Sequence, residues 1–231
     1  MKSLMWFRND LRMDDNPALR EACKSSDEVH AIYIYSQKQN KEHNEANCKT
    51  EFFIENLKTL ESELSNINIP LNIINSVGFK DNSEVISSYV INHSLDKVFW
   101  NNQFGIDESE RDLSVQNHLT GKNIKFENFD EQVVFAPGSI LTGEGKPYSV
   151  FTPFKRRWIE NFNLDLLDIE FEYTKKNATK IRSNLGEFDF QFKKNNLVDM
   201  SLWPAGESEA LSRLKTYLDK NIFRYAQDRN D

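Results

Sequence analysis

The sequence predicts an α/β domain with a doubly wound, parallel, five-stranded sheet of strand order 3-2-1-4-5, followed by a helical linker. Two observations support this fold class. Short apolar runs rich in β-branched and aromatic residues alternate with segments of helical periodicity. The strand runs are nearly continuous in hydrophobicity, as in strands buried on both faces. A βαβα alternation requires crossover connections, so parallel strands covered by helices on both sides are expected.

The five strands are predicted at residues 4–7, 31–35, 71–74, 98–100 and 124–126. The first helix is expected to begin after Asn16, because asparagine is a favourable N-cap and Pro17 suits the first helical position. The second helix is predicted over residues 49–64 from an apolar repeat near 3.6 residues. That repeat consists of Phe52, Phe53, Leu57, Leu60 and Leu64.

Two further helix starts are predicted from capping-box spacing. They are Asp81 with Glu84 and Asp107 with Glu110. These helices precede and follow the fourth strand, as the alternation requires.

The pattern changes after residue 129, where glycine and proline punctuate a loop-rich stretch. A basic, aromatic helix is predicted over 151–162, and residues 163–203 are expected to connect it to a last helix near Pro204. That helix carries an apolar stripe over four turns. We therefore divide the chain into an α/β domain (1–130), a loop-rich extension and linker (131–203), and the start of a further helical domain (204–231).

Composition limits the class of protein. The chain has 231 residues, 29 basic against 36 acidic side chains, a net charge of −7 and 39% hydrophobic residues, which is typical of a globular protein. The apolar run at the N-terminus is too short for a signal peptide or a membrane span, so we expect a cytoplasmic protein with no membrane partner. The net acidity argues against a nucleic-acid-binding surface that covers the whole protein.

Common catalytic and metal motifs are missing from the sequence. Cys23 and Cys48 form no CxxC pair and the four histidines lack ligand spacing, so no metal site is expected. Residues 138–143 have the glycine spacing of a phosphate-binding loop, but Glu144 stands where that motif needs lysine. Neither GxGxxG after a strand nor GxSxG is present, which argues against the common dehydrogenases and hydrolases.

The most distinctive segment is WFRNDLRMDDNPAL at residues 6–19, directly after the first strand. It places two arginines and three aspartates at the carboxyl end of the sheet, where open α/β sheets bind ligands. A loop that orders itself through its own ion pairs is the alternative. The string resembles the opening signature of the DNA photolyase and cryptochrome family at nearly every position.

The resemblance extends over essentially the whole chain, with an interruption between residues 163 and 200. It continues in the blocks at 100–112, 137–143, 148–155, 203–214 and 225–229. It implies an α/β domain that holds a light-collecting antenna chromophore, and a helical domain that binds FAD and would begin where this chain ends. We therefore expect a fragment that lacks the FAD domain and contains no catalytic residue of its own.

The resemblance also implies site residues. Glu108 matches a carboxylate that holds the pterin of a 5,10-methenyltetrahydrofolate antenna, and such a carboxylate can accept two parallel hydrogen bonds. Asp107 stands where folate-binding members often have asparagine, and His43, in the polar loop 37–50, matches a histidine near the folate. The alternative for Glu108 is a solvated glutamate in the first turn of a helix. Asp107 could instead be the N-cap of that helix, and His43 could be an exposed loop histidine without a ligand.

In the last segment, Tyr225 matches a tyrosine that contacts FAD, and Arg229 matches an arginine near the DNA backbone. Alternatively, Tyr225 packs as part of the apolar stripe of the last helix, and Arg229 is a surface cation. Arg8, Asp10 and Arg12 are expected to be structural or to contact a neighbouring domain.

The implied activity is that of a class I deoxyribodipyrimidine photolyase: light-dependent repair of pyrimidine dimers, with damaged DNA as partner and a monomeric protein. The alternatives are a cryptochrome-type photoreceptor without repair, a deazaflavin in place of the folate, and a stand-alone nucleotide-binding module.

Overall fold

Five parallel strands form one sheet in the order β3-β2-β1-β4-β5. They are β1 (Lys2–Phe7), β2 (Glu28–Tyr35), β3 (Leu71–Asn75), β4 (Lys97–Asn101) and β5 (Lys125–Phe129). The computed structural model describes residues 1–164, 171–192 and 198–229. The predicted fold class and strand order are confirmed, and the first four predicted strands lie within β1 to β4. Strand β5 begins one residue later and ends three residues later than the predicted 124–126.

Helices cover both faces of the sheet. The helices of the α/β part are α1 (Pro17–Ser25), α2 (Gln37–Glu42), α3 (Asn47–Asn66), α4 (Asn82–Asn92) and α5 (Ile106–Gly121). Alternate residues of β1 enter opposite cores, because side chains of a strand alternate between its faces. Met5 and Phe7 pack with α1 and α3, whereas Leu4 and Trp6 pack with α4 and α5. The sheet is therefore doubly wound.

Helix α1 begins as predicted. The Asn16 side chain accepts a hydrogen bond from the backbone N–H of Leu19, and Pro17 occupies the first helical position. Helix α3 begins two residues before the predicted start, and Phe52 on its predicted apolar face is exposed. Ile54 takes that place in the core, because it lies three residues before Leu57 on the same face.

Helix α4 begins directly after Asp81 as predicted, but neither predicted capping box forms. Helix α4 follows a 3₁₀ turn at Phe79–Asp81, and the Asp81 carboxylate accepts from the backbone N–H of Val77 instead of capping the helix. Helix α5 has Gly105 as its N-cap, so Asp107 lies inside the first turn. Spacing alone does not distinguish an N-cap from a first-turn residue, since acidic side chains favour both positions.

The segment after β5 has less regular structure. Helix α6 spans Phe151–Asn161, close to the predicted 151–162. Residues 165–170 and 193–197 of the expected connecting segment lie outside the described residues. The part between them, residues 171–192, packs against the core through Leu185 and Phe190.

This segment also protects the edge strand β3. The Asn184 side chain accepts from the backbone N–H of Ile73 and donates to its carbonyl oxygen, at 2.7 and 3.0 Å. The Ser183 hydroxyl accepts from the N–H of Leu71. An unpaired strand edge tends to recruit other chains, and these side chains satisfy part of that edge within the fold.

The single last helix predicted from Pro204 is divided in the structure. Helix α7 (Glu207–Thr216) continues through a π-helical turn at Tyr217–Asn221 and a 3₁₀ turn at Ile222–Arg224 into α8 (Tyr225–Asp228). The predicted stripe is exposed along its length, at Leu211, Leu214, Leu218, Ile222 and Tyr225. Among the described residues, no helix is both long and apolar enough to span a membrane.

Candidate functional site

The carboxyl ends of β1, β2 and β4 meet where the strand order reverses direction. Open α/β sheets bind ligands at this point. An inner cavity of about 240 Å³ lies there. Its wall combines aromatic side chains with a few charged and polar ones, including Trp6, Arg8, Tyr33, Tyr35, His43, Phe53, Phe79, Gln103, Glu108, Arg111 and Phe190.

Two buried arginines share one carboxylate at this cavity. Arg8 Nη1 lies 2.5 Å from Asp112 Oδ1, and Arg111 donates to the same oxygen from Nε at 2.9 Å and Nη2 at 2.8 Å. Arg111 Nη2 also donates to Gln103 Oε1. Because buried charges are stable only when paired and hydrogen-bonded, this cluster fixes the positions of both guanidinium groups.

Aromatic rings complete the environment of the two arginines. The guanidinium carbons of Arg8 and Arg111 lie 4.6 and 5.0 Å from the Trp6 ring centroid, and that of Arg111 lies 4.6 Å from Phe79. Burial, with the neighbouring charge of Arg8, lowers the pKa of Arg111 to about 10. Arg111 therefore remains cationic at neutral pH.

A second polar network holds the loop after β1. Asn101 at the end of β4 donates to Asp10 Oδ2 at 2.6 Å and to Asn16 Oδ1 at 2.8 Å, and accepts from the backbone N–H of Ala18. Asp10 Oδ1 accepts from the backbone N–H of Arg8. These bonds tie β1, α1 and β4 together next to the cavity, as expected for a structural role of Asp10.

Arg12 lies further out on the same loop. It donates to Glu131 and to the backbone carbonyls of Asp14 and Asp15. These bonds link the loop after β1 to the segment after β5.

Glu108 lines the inner cavity from the first turn of α5. It is half-buried, and its carboxylate lies directly over Gly105, the N-cap. A Cβ atom at Gly105 would lie 2.0 Å from Glu108 Oε2. The close approach of the carboxylate therefore requires glycine at this position.

His43 and Asp107 lie at the outer edge of the site. His43 follows α2, a helix formed within the predicted polar loop, and its exposed side chain lines both the inner cavity and an adjacent groove. Asp107 lines the groove and not the inner cavity. The structure thus brings His43 and Glu108 together, with Asp107 next to them on the outer side.

Tyr225 and Arg229 lie elsewhere. Tyr225 is 53% exposed at the start of α8, and Arg229 is exposed at the end of that helix. Neither residue lines the inner cavity or the groove.

Sequence reasoning treated Arg8 as structural and did not assign Arg111 or Trp6 to the site. A signal was present in α5, whose buried face comprises Arg111, Asp112, Val115 and Leu119. An Arg-Asp pair on an otherwise apolar helical face indicates buried charges. Within the described residues, no group of three or more His, Cys, Asp or Glu side chains could hold a metal ion.

Comparison with known proteins gives a consistent result. A family model described as DNA photolyase matches residues 3–175. The deoxyribodipyrimidine photo-lyase of Escherichia coli (strain K12) is 30% identical over 234 residues, covering 98% of this chain and 48% of the relative. That of Salmonella typhimurium is 29% identical over 228 residues, with the same coverage of 98% and 48%. The chain thus spans about half the length of the curated relatives it matches.

Solved structures share the fold. A bacterial class III photolyase from Agrobacterium tumefaciens matches with a TM-score of 0.80 at 23% identity, covering 99% of this chain and 46% of that one. A Synechocystis cryptochrome matches with a TM-score of 0.75 at 18% identity, covering 99% of this chain and 49% of that one.

Proposed function

The chain belongs to the DNA photolyase family, and we propose that it is the light-harvesting half of a deoxyribodipyrimidine photolyase, with a folate antenna bound at the inner cavity. The observation that carries the proposal is the position of Glu108, which was expected to hold a pterin and lies in the wall of the cavity together with His43. When bound, 5,10-methenyltetrahydrofolate supplies light absorption, and FAD supplies the electron for dimer cleavage.

The chemistry of Glu108 fits a pterin. A half-buried carboxylate that lies over a glycine presents its oxygens without a neighbouring Cβ, and it can accept two parallel hydrogen bonds from an amino-pyrimidine edge. Aromatic side chains around it, among them Tyr33 and Phe79, offer flat apolar surface for a ring. Burial raises the pKa of Tyr33, so its phenol remains a neutral hydrogen-bond donor.

His43 and Asp107 serve the outer part of the ligand. Their exposed side chains border the groove next to the cavity, where a part of the folate that extends out of the cavity would lie. His43 faces both spaces, so it connects the two parts of the proposed binding site.

The rest of the proposal concerns the intact enzyme. FAD is held by a helical domain, with Tyr225 as one contact, and Arg229 lies near the backbone of damaged DNA. The exposure of both side chains supports these roles, because each is free to meet another surface. Residues 1–130 form the antenna domain, 131–203 the extension and linker, and 204–231 the start of the FAD domain of a monomeric, cytoplasmic protein.

Ligand binding by the purified chain tests the proposal. The chain is titrated separately with 5,10-methenyltetrahydrofolate, an 8-hydroxy-5-deazaflavin and AMP, with thermal stability and chromophore absorbance as readouts. Saturable binding of the folate, with an increase in Tm, is expected. Binding of the deazaflavin alone would overturn the folate assignment, and stabilisation by AMP alone would instead support a nucleotide-binding module.

A further inference from the structure

One edge of the Arg8 guanidinium group is unused. Arg8 is 6% exposed, lines the inner cavity, and forms its side-chain ion pair through Nη1. Its other two nitrogens, Nε and Nη2, are buried and have no hydrogen-bond partner within residues 1–164, 171–192 and 198–229. Two unsatisfied donors on a buried cation are costly, so their presence in a cavity wall requires an explanation.

The two free donors have a particular geometry. Nε–H and the nearer Nη2–H point in the same direction within the guanidinium plane, and they form the parallel pair that can bind a carboxylate or phosphate through two oxygens. Arg111 uses the same edge, Nε with Nη2, to hold one oxygen of Asp112, Oδ1. Arg8 therefore repeats at the cavity the donor edge with which its neighbour holds an oxyanion.

Both cations and anions lie at the cavity. Among the described residues, the ion pairs of Arg8 and Arg111 are made to one carboxylate, that of Asp112. The Glu108 carboxylate also lines the cavity, and its charge favours the cationic form of Arg111. Asp112 Oδ2 has no partner in the described part of the chain, so a ligand hydroxyl or N–H can donate to it.

We propose that the Nε/Nη2 edge of Arg8 is an oxyanion-binding subsite at the floor of the inner cavity, which holds a carboxylate or phosphate group of the cavity's ligand. The proposal deepens the proposed function, because it assigns a chemical requirement to the ligand of the same cavity. Trp6 and the Asp112 carboxylate keep the guanidinium in place.

The experiment follows the Arg8 Nε–H group directly in the unmodified chain. Arginine ¹⁵Nε–¹H spectra are recorded during titration with inorganic phosphate, with benzoate and with sodium chloride at matched ionic strength. The Arg8 signal is assigned through its contact with the Trp6 ring. Arg157, which is exposed and paired with Glu160, is the internal control.

The expected result is a saturable shift of the Arg8 Nε–H signal with phosphate or benzoate, and little change with chloride or at Arg157. A shift with phosphate alone would identify a phosphate-bearing ligand, and one with benzoate alone a carboxylate-bearing ligand. No shift with either anion would overturn the proposal, as would equal shifts at Arg8 and Arg157.

A variant gives a second, independent test. Arg8→Lys keeps a cation near Asp112 but removes the parallel donor pair, so the affinity for the effective anion is expected to fall about tenfold. Unchanged affinity would contradict the subsite. If the variant does not fold, the wild-type titration remains decisive.

The anion response at Arg8 and the binding of folate test the subsite and the antenna function separately. Folate binding without any anion response at Arg8 would remove the subsite and leave the antenna function in place. An anion response without folate binding would remove the folate antenna and leave the subsite.

Discussion

Replacement of Asn101 by alanine tests the network that holds the loop after β1 beside the cavity. The Asn101 side chain is buried and makes three hydrogen bonds, to Asp10 Oδ2, to Asn16 Oδ1 and from the backbone N–H of Ala18. Alanine removes all three at once. The change leaves the strand β4 itself intact, because the backbone pairing of Asn101 with Phe129 does not depend on the side chain.

The cost follows from which partners remain unsatisfied. Asp10 Oδ2 loses the Asn101 donor in a buried site, which costs about 1.5–3 kcal/mol for a bond to a charged group. The N–H of Ala18 is orphaned at a cost of about 1–3 kcal/mol. Asn16 Oδ1 keeps its bond from Leu19, so it adds little. We expect a total loss of about 3–5 kcal/mol, a large part of the stability of a typical domain.

Urea unfolding followed by circular dichroism measures this loss. Asn102→Ala is the matched control, since the neighbouring, half-buried Asn102 donates to exposed Asp130 and accepts from Asn128, and its loss is expected to cost about 1–2 kcal/mol. Asn101→Asp would place a second carboxylate beside Asp10, so its destabilisation should lessen as the pH falls and one carboxyl takes up a proton. Equal, small losses for the two alanine variants would refute the reasoning.

Three further predictions concern the site, the core and the C-terminal helices. Gly105→Ala places a Cβ 2.0 Å from Glu108 Oε2 and should displace this flexible carboxylate. Folate binding, measured by absorbance titration, should weaken several-fold, while the free energy of unfolding changes by less than about 1 kcal/mol. Unchanged folate affinity would contradict the role of Glu108. Burial lowers the pKa of His30 below its usual 6.5, so its stabilising contribution is complete above pH 6.5 and is lost as the pH falls towards the folded-state pKa. The drop in urea midpoint between pH 7.5 and 5.5 should therefore be smaller in His30→Gln, and an equal drop would count against this cause. The Glu207 carboxylate accepts from the backbone N–H groups of Met13 and Asp14, so Glu207→Gln should speed hydrogen exchange at both amides, and unchanged exchange rates would show that the contact is unimportant.

Most of the fold follows from local pattern. The apolar runs and the Asn16-Pro17 helix start are explicit in the sequence, and a parallel sheet is the arrangement that buries such strands on both faces. Details that depend on competing local bonds were not predictable. The Asp81 carboxylate binds the N–H of Val77, and Gly105 replaces Asp107 as the N-cap of α5. Residue spacing does not show which backbone N–H a carboxylate will bind, or which residue will be the N-cap of a helix.

The site was predicted in part. Glu108 and His43 came from a family resemblance, and the structure places both side chains at one cavity. The buried arginines could not be assigned in the same way, because arginine is mostly exposed and its burial depends on partners far away in sequence. Arg8 and Asp112 are 104 positions apart, and only the parallel packing of β1 and β4 brings them together.

The central claim is that Glu108 holds the folate antenna, and the affinity of the Glu108→Gln variant for 5,10-methenyltetrahydrofolate tests it most directly. Glu209→Gln is the matched control, since Glu209 occupies the same first-turn position after a glycine N-cap in α7. Loss of one charged acceptor should weaken binding by about 10- to 100-fold in the Glu108 variant, while the Glu209 variant binds like wild type. Equal affinity of the two variants and wild type would contradict the account.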